Sequence, residues 1–511
     1  MAKETAGKTV FSSHNIFLFL VLLAAGVLRL WKLGKWDFWY DEAHTLLFAG
    51  EPQRFSFLWP NSFLFDLGIM RNWLYLSDNS EFMLRIPSVF FSIVSLFVLY
   101  KFTRLMYNRK IALIAVSILA FSPFHIHYSQ EIRCYSLLVL LTLLAAYFLV
   151  LTLKEDKIRY WLIFVIFCLL SLLTHYIFLL SVVSSLFIIF VERRSLGRHW
   201  IIYFISVSAA AIGFFPILFK DLGYIGNVSW IEEPSLESLF ITFQNFNLGY
   251  HANTLLYLLS VFVFLPPLFS ALLKYRQDKD NLFILSAFLF LPLMMLFIIS
   301  LGSSLYLSRY IFYLLPFYYI IIAKGLYSLS PLLRRLFLSA VFILFFLSLY
   351  NYYDNTIPAP LKYHQGVHEK RNIKPAVDYI IENYKQGDII AHANLATICP
   401  FLWYMETSPY YRGQLTFNLQ YVFFIPSCIS PWARYSLRES PVCLNLKDKD
   451  LVKVFGQRRL WLVASGWSPE EEITGNSLAV LNYLKPRYGN LDRKIVEGIY
   501  LSLYTLEKNK N

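Results

Sequence analysis

The amino-acid sequence predicts a polytopic α-helical membrane protein, and three observations carry that prediction. Of 511 residues, 57% are hydrophobic and only 15% are charged, whereas soluble domains average about 45–50% apolar and about 25% charged residues. Apolar stretches of about 20 residues, each able to cross a bilayer as a helix, recur between residues 16 and 353. Lys and Arg concentrate in alternate connecting loops, which is typical of a chain that crosses the membrane repeatedly.

About eleven stretches qualify as membrane spans. They cover residues 16–33, 86–106, 111–128, 136–153, 160–175, 177–192, 200–219, 255–273, 282–300, 310–328 and 336–353. The two stretches that flank His175 are nearly fused and could form one bent element.

The distribution of basic residues predicts the orientation of the chain. The basic loops contain YKFTRLMYNRK, KEDKIR, VERRSLGRH, KYRQDKD and SPLLRR. Placing these loops in the cytoplasm puts the N-terminus inside and the C-terminus outside. The net charge of +13 therefore reflects membrane topology, and no nucleic-acid partner is expected.

Two domains are predicted. Residues 1–353 form the transmembrane domain, with long outer loops at 34–85 and 220–254, and residues 354–511 form an extracytoplasmic α/β domain. In that second domain, NIKPAVDYIIENYKQG and GNSLAVLNYLKPRYG are typical of helices, and DIIAHA, YVFFIP, RRLWLVAS and KIVEGIYLSLYTLE are typical of strands. Three of the five cysteines, Cys399, Cys428 and Cys443, lie in this part of the chain, and the sequence does not fix their pairing.

The first outer loop carries an adjacent pair of acids, Asp41 and Glu42, in the segment WDFWYDEAHT. The aromatic residues before them are typical of the headgroup depth of a membrane, where an idle charge is costly. Neighbouring side chains point apart, and in a helix Asp41 would line up with His44 and Thr45. One acid could therefore act as a base on a substrate hydroxyl while the other braces the loop. The alternative is a solvated N-cap that opens the EAHTLL helix.

A second candidate site lies in SPFHIHYSQEIRCYSLL, where a short outer loop holds Glu131 and Arg133 between two apolar spans. Tyr128 and Tyr135 flank the two charges. One interpretation is a structural salt bridge inside the bundle. The other is that the planar fork of Arg133 binds a phosphate.

A third candidate is Arg309, which opens a span on the outer side in LYLSRYIFYLL, against the charge trend. A lone Arg at this depth could simply reach the lipid headgroups. Arg85, in FMLRIPSVF, is a weaker candidate of the same kind. His175 is more typical of a satisfied interface histidine than of a catalytic base. Glu232 and Glu233 are expected to solvate their loop, with a minor alternative role in binding the acceptor.

Five motifs in this order resemble the GT-C membrane glycosyltransferases. They are WYDEA after the first span, RIPS in the second, SQEIRCYSLLVLLTLLAAYFL at the turn between the third and fourth, THY, and SRYIFYLLPFYYIIIAKGL. The branch they resemble contains bacterial relatives of the dolichyl-phosphate-mannose protein mannosyltransferases and of the lipid A aminoarabinose transferase. No single motif is specific, but their order and spacing cover nearly all of residues 16–353.

The resemblance implies a GT-C fold in a prokaryotic plasma (inner) membrane. It also implies an enzyme that takes a sugar from a polyprenyl-phosphate carrier and passes it to a protein, glycolipid or envelope polysaccharide. Asp41 would be the base, Glu42 would position it or the acceptor, and Arg133 and Arg309 would neutralise the carrier phosphate. Other residues expected to contact the substrate or lipid phosphate are Arg85, Glu131, Tyr135, His175 and Tyr310.

A single base without a nucleophilic carboxylate predicts inversion at the anomeric carbon. No cofactor is required by this chemistry, although Asp41 and His44 could together hold a divalent metal. The expected partners are the lipid-linked sugar, the acceptor and membrane lipids.

Two other functions fit some of the same features. A transporter or flippase for lipid-linked sugars would place charges at mid-span and show an inverted repeat, whereas the charges here cluster at span ends. An oligosaccharide ligase or polymerase would also use outer arginines. A chain whose exported domain only binds a partner is a further alternative, which an isolated and folded tail would favour.

Overall fold

The computed structural model describes residues 13–53, 62–194, 196–197, 199–225, 231–274, 278–302, 304–385, 388–392, 395–407, 422–424, 459–465, 488–496 and 499–508. The chain divides into two compact units. The first comprises residues 1–33, 85–218 and 233–365, and the second comprises residues 34–84, 219–232 and 366–511. Each unit is described by itself.

Helices dominate the described residues. In chain order they are α1 Ser13–Leu30, α2 Tyr40–Gly50, α3 Arg71–Leu76, α4 Glu81–Met106, α5 Arg109–Phe121, α6 Pro123–Ser129, α7 Tyr135–Glu155, α8 Ile158–Thr174, α9 Leu179–Val191, α10 His199–Ile225, α11 Leu236–Leu248, α12 Thr254–Leu273, α13 Lys279–Ser300, α14 Leu315–Ser328, α15 Pro331–Tyr353, α16 Lys374–Asn383 and α17 Leu395–Thr407. The strands are β1 Ile389–His392, β2 Val422–Phe424, β3 Arg459–Ser465, β4 Tyr488–Val496 and β5 Ile499–Lys508.

Seven helical segments of the described chain are long and apolar enough to span a membrane, and the bent pair α5–α6 brings the number to eight. Helices α8 and α14 and the first part of α10 are apolar but shorter. Each of the eleven predicted spans coincides with a helix or with this bent pair. The helical membrane architecture is therefore confirmed, while the count of eleven is not.

Helix starts follow local sequence signals. Asn108, Asn253 and Ser330 precede α5, α12 and α15, and each side chain accepts a backbone N–H of the first turn. These bonds satisfy donors that have no partner within the helix. At the C-terminus of α7, Asp156 adopts a left-handed conformation with φ of 45°, which ends the helix before α8 begins.

Helix α14 is buried over most of its length. Every residue from Leu315 to Ala323 is buried, as expected for a helix that is apolar on all sides. Its contact with α12 is unusually close, because a Cβ atom at Gly325 would lie 1.8 Å from the carbonyl oxygen of Pro267. A small residue here lets the two helix backbones touch.

The chain bends by 59° between α5 and α6, where the sequence predicts one continuous span. Pro123 opens α6, and the Ser122 hydroxyl accepts the N–H of His125. Arg29 of α1 is fully buried at the bend. Its Nη1 donates to the Ala120 carbonyl at 2.9 Å, and its Nη2 lies 2.8 Å from Nδ1 of His125. Carbonyls freed at a helix end inside a membrane need such partners, so Arg29 fixes the direction of α6.

In the second unit, the described strands form one mixed sheet in the order β2-β1-β3-β5-β4. Strand β1 is parallel to β2 and β3, and β5 is antiparallel to β3 and β4. Strands β1, β2 and β3 and helix α16 lie where the sequence predicts them. The segment KIVEGIYLSLYTLE, predicted as one strand, contributes to two antiparallel strands, β4 and β5. Most of the helix predicted in GNSLAVLNYLKPRYG lies outside the described residues.

The long loops also have helical structure. In the second unit, the loop that follows α1 contains α2, a π-helix at Phe63–Met70 and α3, and in the first unit α11 precedes α12. Glu232 and Glu233 are both exposed, in agreement with a solvating role. Cys399 is a buried free thiol, while Cys428 and Cys443 lie outside the described residues.

Candidate active site

Two arginines that are distant in the sequence lie around one histidine in the first unit. The Arg133 guanidinium lies 5.8 Å from the ring centre of Tyr135, and the Arg309 guanidinium lies 5.8 Å from that of Tyr310. Both tyrosine rings contact His175, with centroid distances of 6.2 Å from Tyr135 and 5.7 Å from Tyr310. We call these five side chains the arginine–tyrosine cluster; it is a continuous row of contacts with a cation at each end.

Burial sharpens the electrostatics of this cluster. Arg133 is 8% exposed and Arg309 is 7% exposed. Charges held away from water interact more strongly than they do in bulk solvent, and a guanidinium has the fork geometry that suits a phosphate. The cluster can therefore bind a compact anion more strongly than arginines at an open surface.

A pair of tyrosine hydroxyls adds to the polar groups near Arg309. The hydroxyls of Tyr128 and Tyr250 lie 2.8 Å apart, and Arg309 interacts electrostatically with both. Tyr250 follows Gly249, which has a φ of +67° and a ψ of −149°, a conformation essentially restricted to glycine. A Cβ atom at Gly249 would lie 3.1 Å from the backbone nitrogen of Phe124, so this glycine brings Tyr250 against α6.

His175 has a defined tautomer in its neutral form. Its Nδ1 accepts the N–H of Ile177 at 3.2 Å and caps a short 3₁₀ turn. A neutral ring that accepts at Nδ1 carries its proton on Nε2. His175 therefore has the structural role expected from the sequence and also retains one ring donor within the cluster.

A second buried chain of polar groups runs from Glu131. The Nε2 atom of His127 lies 3.3 Å from Oε1 of Glu131, and Nδ1 of His127 lies 3.3 Å from Nε2 of His251. His251 Nδ1 lies 2.8 Å from the carbonyl oxygen of Thr356. That oxygen only accepts, so the His251 proton is on Nδ1 and the His127 Nδ1 proton points to His251. In the first unit, the Glu131 carboxylate thus lies next to the His127 ring.

Arg85 has a structural contact. It is 1% exposed, and its Nη1 donates to the carbonyl oxygen of Leu33 at 2.8 Å. This bond ties the start of the second predicted span to the end of the first. The structure does not place Arg85 in the arginine–tyrosine cluster.

In the second unit, Asp41 and Glu42 lie in the first turn of α2. The helix begins at Tyr40, and Trp39 occupies the N-cap without a side-chain hydrogen bond. The alternative of Asp41 as an N-cap is therefore wrong, because the helix starts one residue before it. Asp41 is half-buried, whereas Glu42 is fully buried, so the two neighbouring acids occupy different environments, as the sequence predicts.

His44 is the second residue of the predicted metal site, beside Asp41. This histidine is 7% exposed, and its ring lies 6.0 Å from that of Tyr40. Within the described ranges, no group of three or more His, Cys, Asp and Glu side chains is arranged to hold a metal ion. A metal bound by Asp41 and His44 stays a prediction.

The segment that leads into α2 is held by the C-terminal part of the same unit. Asp37 accepts a hydrogen bond from the N–H of Lys374 at 2.7 Å. Burial raises the pKa of Asp37, and the bond from Lys374 opposes that rise. The backbone N–H of Phe38 donates to the hydroxyl of Tyr404 at 2.9 Å.

Sequence reasoning missed several residues of these sites. His251 and Tyr250 carry no local signal, Tyr404 lies in a segment predicted only as part of an α/β domain, and Cys399 was considered only for disulfide pairing. The polar run in SPFHIHYSQ was the one usable clue, since two histidines in a membrane helix need partners.

Part of this chain matches a known protein family, and nearly the whole chain matches solved structures. Residues 68–219 match the family model described as dolichyl-phosphate-mannose-protein mannosyltransferase, a range that includes Arg133 and His175 but neither Asp41 nor Arg309. A sequence comparison with curated proteins gives no match. Among solved structures, ArnT from Cupriavidus metallidurans in the apo state matches with a TM-score of 0.62 and 13% identity, over 96% of this chain and 98% of that chain.

The chain shares the GT-C fold of ArnT and AglB. The same ArnT bound to undecaprenyl phosphate matches with a TM-score of 0.61 and 13% identity, over 96% of this chain and 98% of that one. The archaeal oligosaccharyltransferase AglB from Archaeoglobus fulgidus, in complex with an inhibitory peptide and a dolichol-phosphate, matches with a TM-score of 0.51 and 12% identity, over 98% of this chain and 74% of that chain. The resemblance drawn from the motifs is confirmed at the level of the fold.

Proposed function

We propose that this protein transfers a sugar from a polyprenyl-phosphate carrier to an acceptor at the outer face of a prokaryotic plasma membrane. The observation that carries the proposal is the arginine–tyrosine cluster, in which Arg133 and Arg309 each contact a tyrosine whose ring contacts His175. A GT-C fold shared with a protein solved with undecaprenyl phosphate supports the same class of donor.

The cluster suits the leaving group of such a reaction. When the bond between the anomeric carbon and the phosphate oxygen breaks, both electrons pass to the phosphate, whose negative charge increases. Guanidinium groups already fixed in a buried site stabilise this charge without reorganising. The rings of Tyr135 and Tyr310 hold the two arginines through cation–π contacts.

Asp41 is the proposed base on the acceptor side. It lies in the first turn of α2, where the partial positive charge of the helix N-terminus interacts favourably with an acidic side chain. The carboxylate takes the proton of the acceptor hydroxyl or amine, whose lone pair attacks the anomeric carbon as the phosphate departs. One displacement of this kind inverts the anomeric configuration, and a general base contributes about 10²–10⁴-fold to its rate.

Transfer of an oligosaccharide is a second candidate, because the oligosaccharyltransferase AglB shares the fold. Transfer of one sugar is preferred because the acidic pair Asp41 and Glu42 lies between the first two predicted spans, as in the monosaccharide transferases that the sequence motifs resemble. Carriers that bear one sugar and carriers that bear several distinguish the two reactions.

The test uses the full-length protein in lipid nanodiscs, as wild type, as Asp41→Asn, and as Asp354→Asn. Asp354 is exposed just after α15, so it provides the same chemical change away from the proposed site. Each protein is incubated with a panel of polyprenyl-phosphate sugars and an extract of envelope acceptors, and free polyprenyl phosphate is measured by mass spectrometry.

We expect release by wild type and Asp354→Asn, and a fall of at least about 100-fold in Asp41→Asn. Equal release by wild type and Asp41→Asn would remove Asp41 as the base while keeping the class of donor. If folded wild type binds the donor but releases no polyprenyl phosphate from any carrier, the result would favour a transporter of lipid-linked sugars.

A further inference from the structure

We infer that helix α17 of the C-terminal segment is a positioning element for α2, the helix that bears Asp41. The inference rests on the proposed role of Asp41. It makes the C-terminal segment part of the transferase machinery, in contrast to a separate binding module. All the contacts that carry it lie within the second unit.

The first observation is the packing of Phe38, two residues before α2. Phe38 is 1% exposed. Its ring stacks on Tyr404 with centroids 5.9 Å apart and meets Trp403 edge-on at 6.0 Å. An aromatic residue enclosed in this way has one favoured orientation, so α17 fixes where the chain enters α2.

The second observation is the hydroxyl of Tyr404. It accepts the backbone N–H of Phe38 at 2.9 Å and donates to Oε1 of Glu81 at 3.0 Å. Glu81 is the first residue of α4. One side chain of α17 therefore joins both ends of the loop between residues 38 and 81, and a buried backbone N–H depends on it.

The third observation is a contact between Cys399 of α17 and the first turn of α2. The Cys399 thiol is 2% exposed, shares a hydrogen bond with the Tyr40 side chain, and interacts electrostatically with Asp41. Cys399 and Trp403 are four residues apart, so they lie on the same face of α17. That face packs against Phe38 and against Tyr40 and Asp41 in the first turn of α2.

These contacts matter because α2 has little stability of its own. It has eleven residues and begins without a side-chain cap, and isolated helices of this length are marginal in water. Its position is therefore set by what packs against it. Displacement of a catalytic group by about 1 Å can lower turnover by about 100-fold.

The test compares two substitutions that each remove one tyrosine hydroxyl from the full-length protein. Tyr404→Phe keeps the stacked ring but loses both bonds of the hydroxyl. Tyr379→Phe is the matched control, since its hydroxyl donates to Asp492 at 2.6 Å on strand β4, away from α2. Donor turnover and hydrogen exchange of the peptide that covers residues 38–46 are measured in nanodiscs for both.

For Tyr404→Phe we expect kcat to fall about 10- to 100-fold, with KM for the donor unchanged and exchange of residues 38–46 faster. Tyr379→Phe should match wild type in all three. At the neighbouring contact, Cys399→Ser, which keeps a hydrogen-bonding group beside Tyr40, should retain more turnover than Cys399→Ala.

Wild-type kcat and wild-type exchange in Tyr404→Phe would overturn the inference, as would equal losses in Tyr379→Phe. The exchange measurement separates this inference from the proposed function. If wild type releases no polyprenyl phosphate, the proposed function fails, while faster exchange confined to Tyr404→Phe would still support the positioning of α2 by α17.

Discussion

The contact between α12 and α14 gives a sharp prediction, because one methyl group decides it. Gly325→Ala adds a Cβ atom that would lie 1.8 Å from the oxygen, 2.6 Å from the carbon and 3.1 Å from the Cα of Pro267. All three atoms belong to the backbone, so no side chain can rotate away. Reaching an ordinary contact of 3.4 Å requires the helices to separate by about 1.6 Å, and a shift of this kind reduces packing along the whole interface.

Overpacking in a tight interior costs about 1–3 kcal/mol, and this site lies at the severe end because the obstructing atoms are rigid. We therefore expect Gly325→Ala to lower the free energy of unfolding by about 3 kcal/mol. Arg309 and Tyr310 come just before α14, so displacement of the helix should also weaken anion binding by the arginine–tyrosine cluster.

Gly213→Ala is the matched control, because Gly213 is exposed on α10 and has no heavy atom within 4 Å of the added Cβ. Alanine favours the helix over glycine by up to about 1 kcal/mol, so this variant should be as stable as wild type or slightly more so. Unfolding of each protein is followed by SDS titration in bicelles. Equal stability of Gly325→Ala and Gly213→Ala would refute the close contact.

Two further predictions concern charge. Arg309→Lys keeps the cation but loses the planar fork, so the affinity for polyprenyl phosphate, measured by thermophoresis, should fall by about tenfold or more. The control Arg335→Lys, at an exposed position, should bind polyprenyl phosphate as wild type does. Equal affinities of Arg309→Lys and wild type would contradict the role of Arg309. Burial lowers the pKa of His392 in β1 to about 3, whereas this residue in the unfolded chain is protonated below about pH 6.5. The contribution of the buried neutral ring to the free energy of unfolding is therefore complete above about pH 6.5. It declines as the pH falls towards 3, by up to about 1.4 kcal/mol per pH unit. Thermal unfolding between pH 7 and pH 4 should depend less on pH in His392→Gln, and an unchanged dependence would contradict the buried neutral imidazole.

Local signals predicted the helices well and their continuity less well. Among the described residues, long apolar runs located the seven segments that are able to cross a membrane and the bent pair α5–α6, because a helix must satisfy its own backbone bonds in lipid. The bend at Ser122–Pro123 was missed, because the apolar run continues through it. Whether a proline kinks a membrane helix or only opens a new one depends on the partners of the freed carbonyls, and here one partner is Arg29, from another helix.

The candidate residues show the same division. The sequence singled out Arg133 and Arg309 as charges at span ends, and the structure brings both to His175. It does not bring Arg85 into that cluster. The proximity of Glu131 to His127 was not predicted, since the tertiary structure decides which side chain packs beside a buried carboxylate.

By itself, the sequence determined the helical membrane class of the protein and the positions of its long apolar helices, and it singled out a small set of charged residues at the ends of the predicted spans. Composition and hydropathy suffice for this, because the cost of burying charge in lipid depends on residue type and depth. Only the tertiary structure decided which side chains surround Arg133 and Arg309, that Asp41 lies in the first turn of a helix, and that α17 packs against the segment entering α2. Those facts depend on contacts between residues hundreds of positions apart, and hydropathy has no term for such contacts.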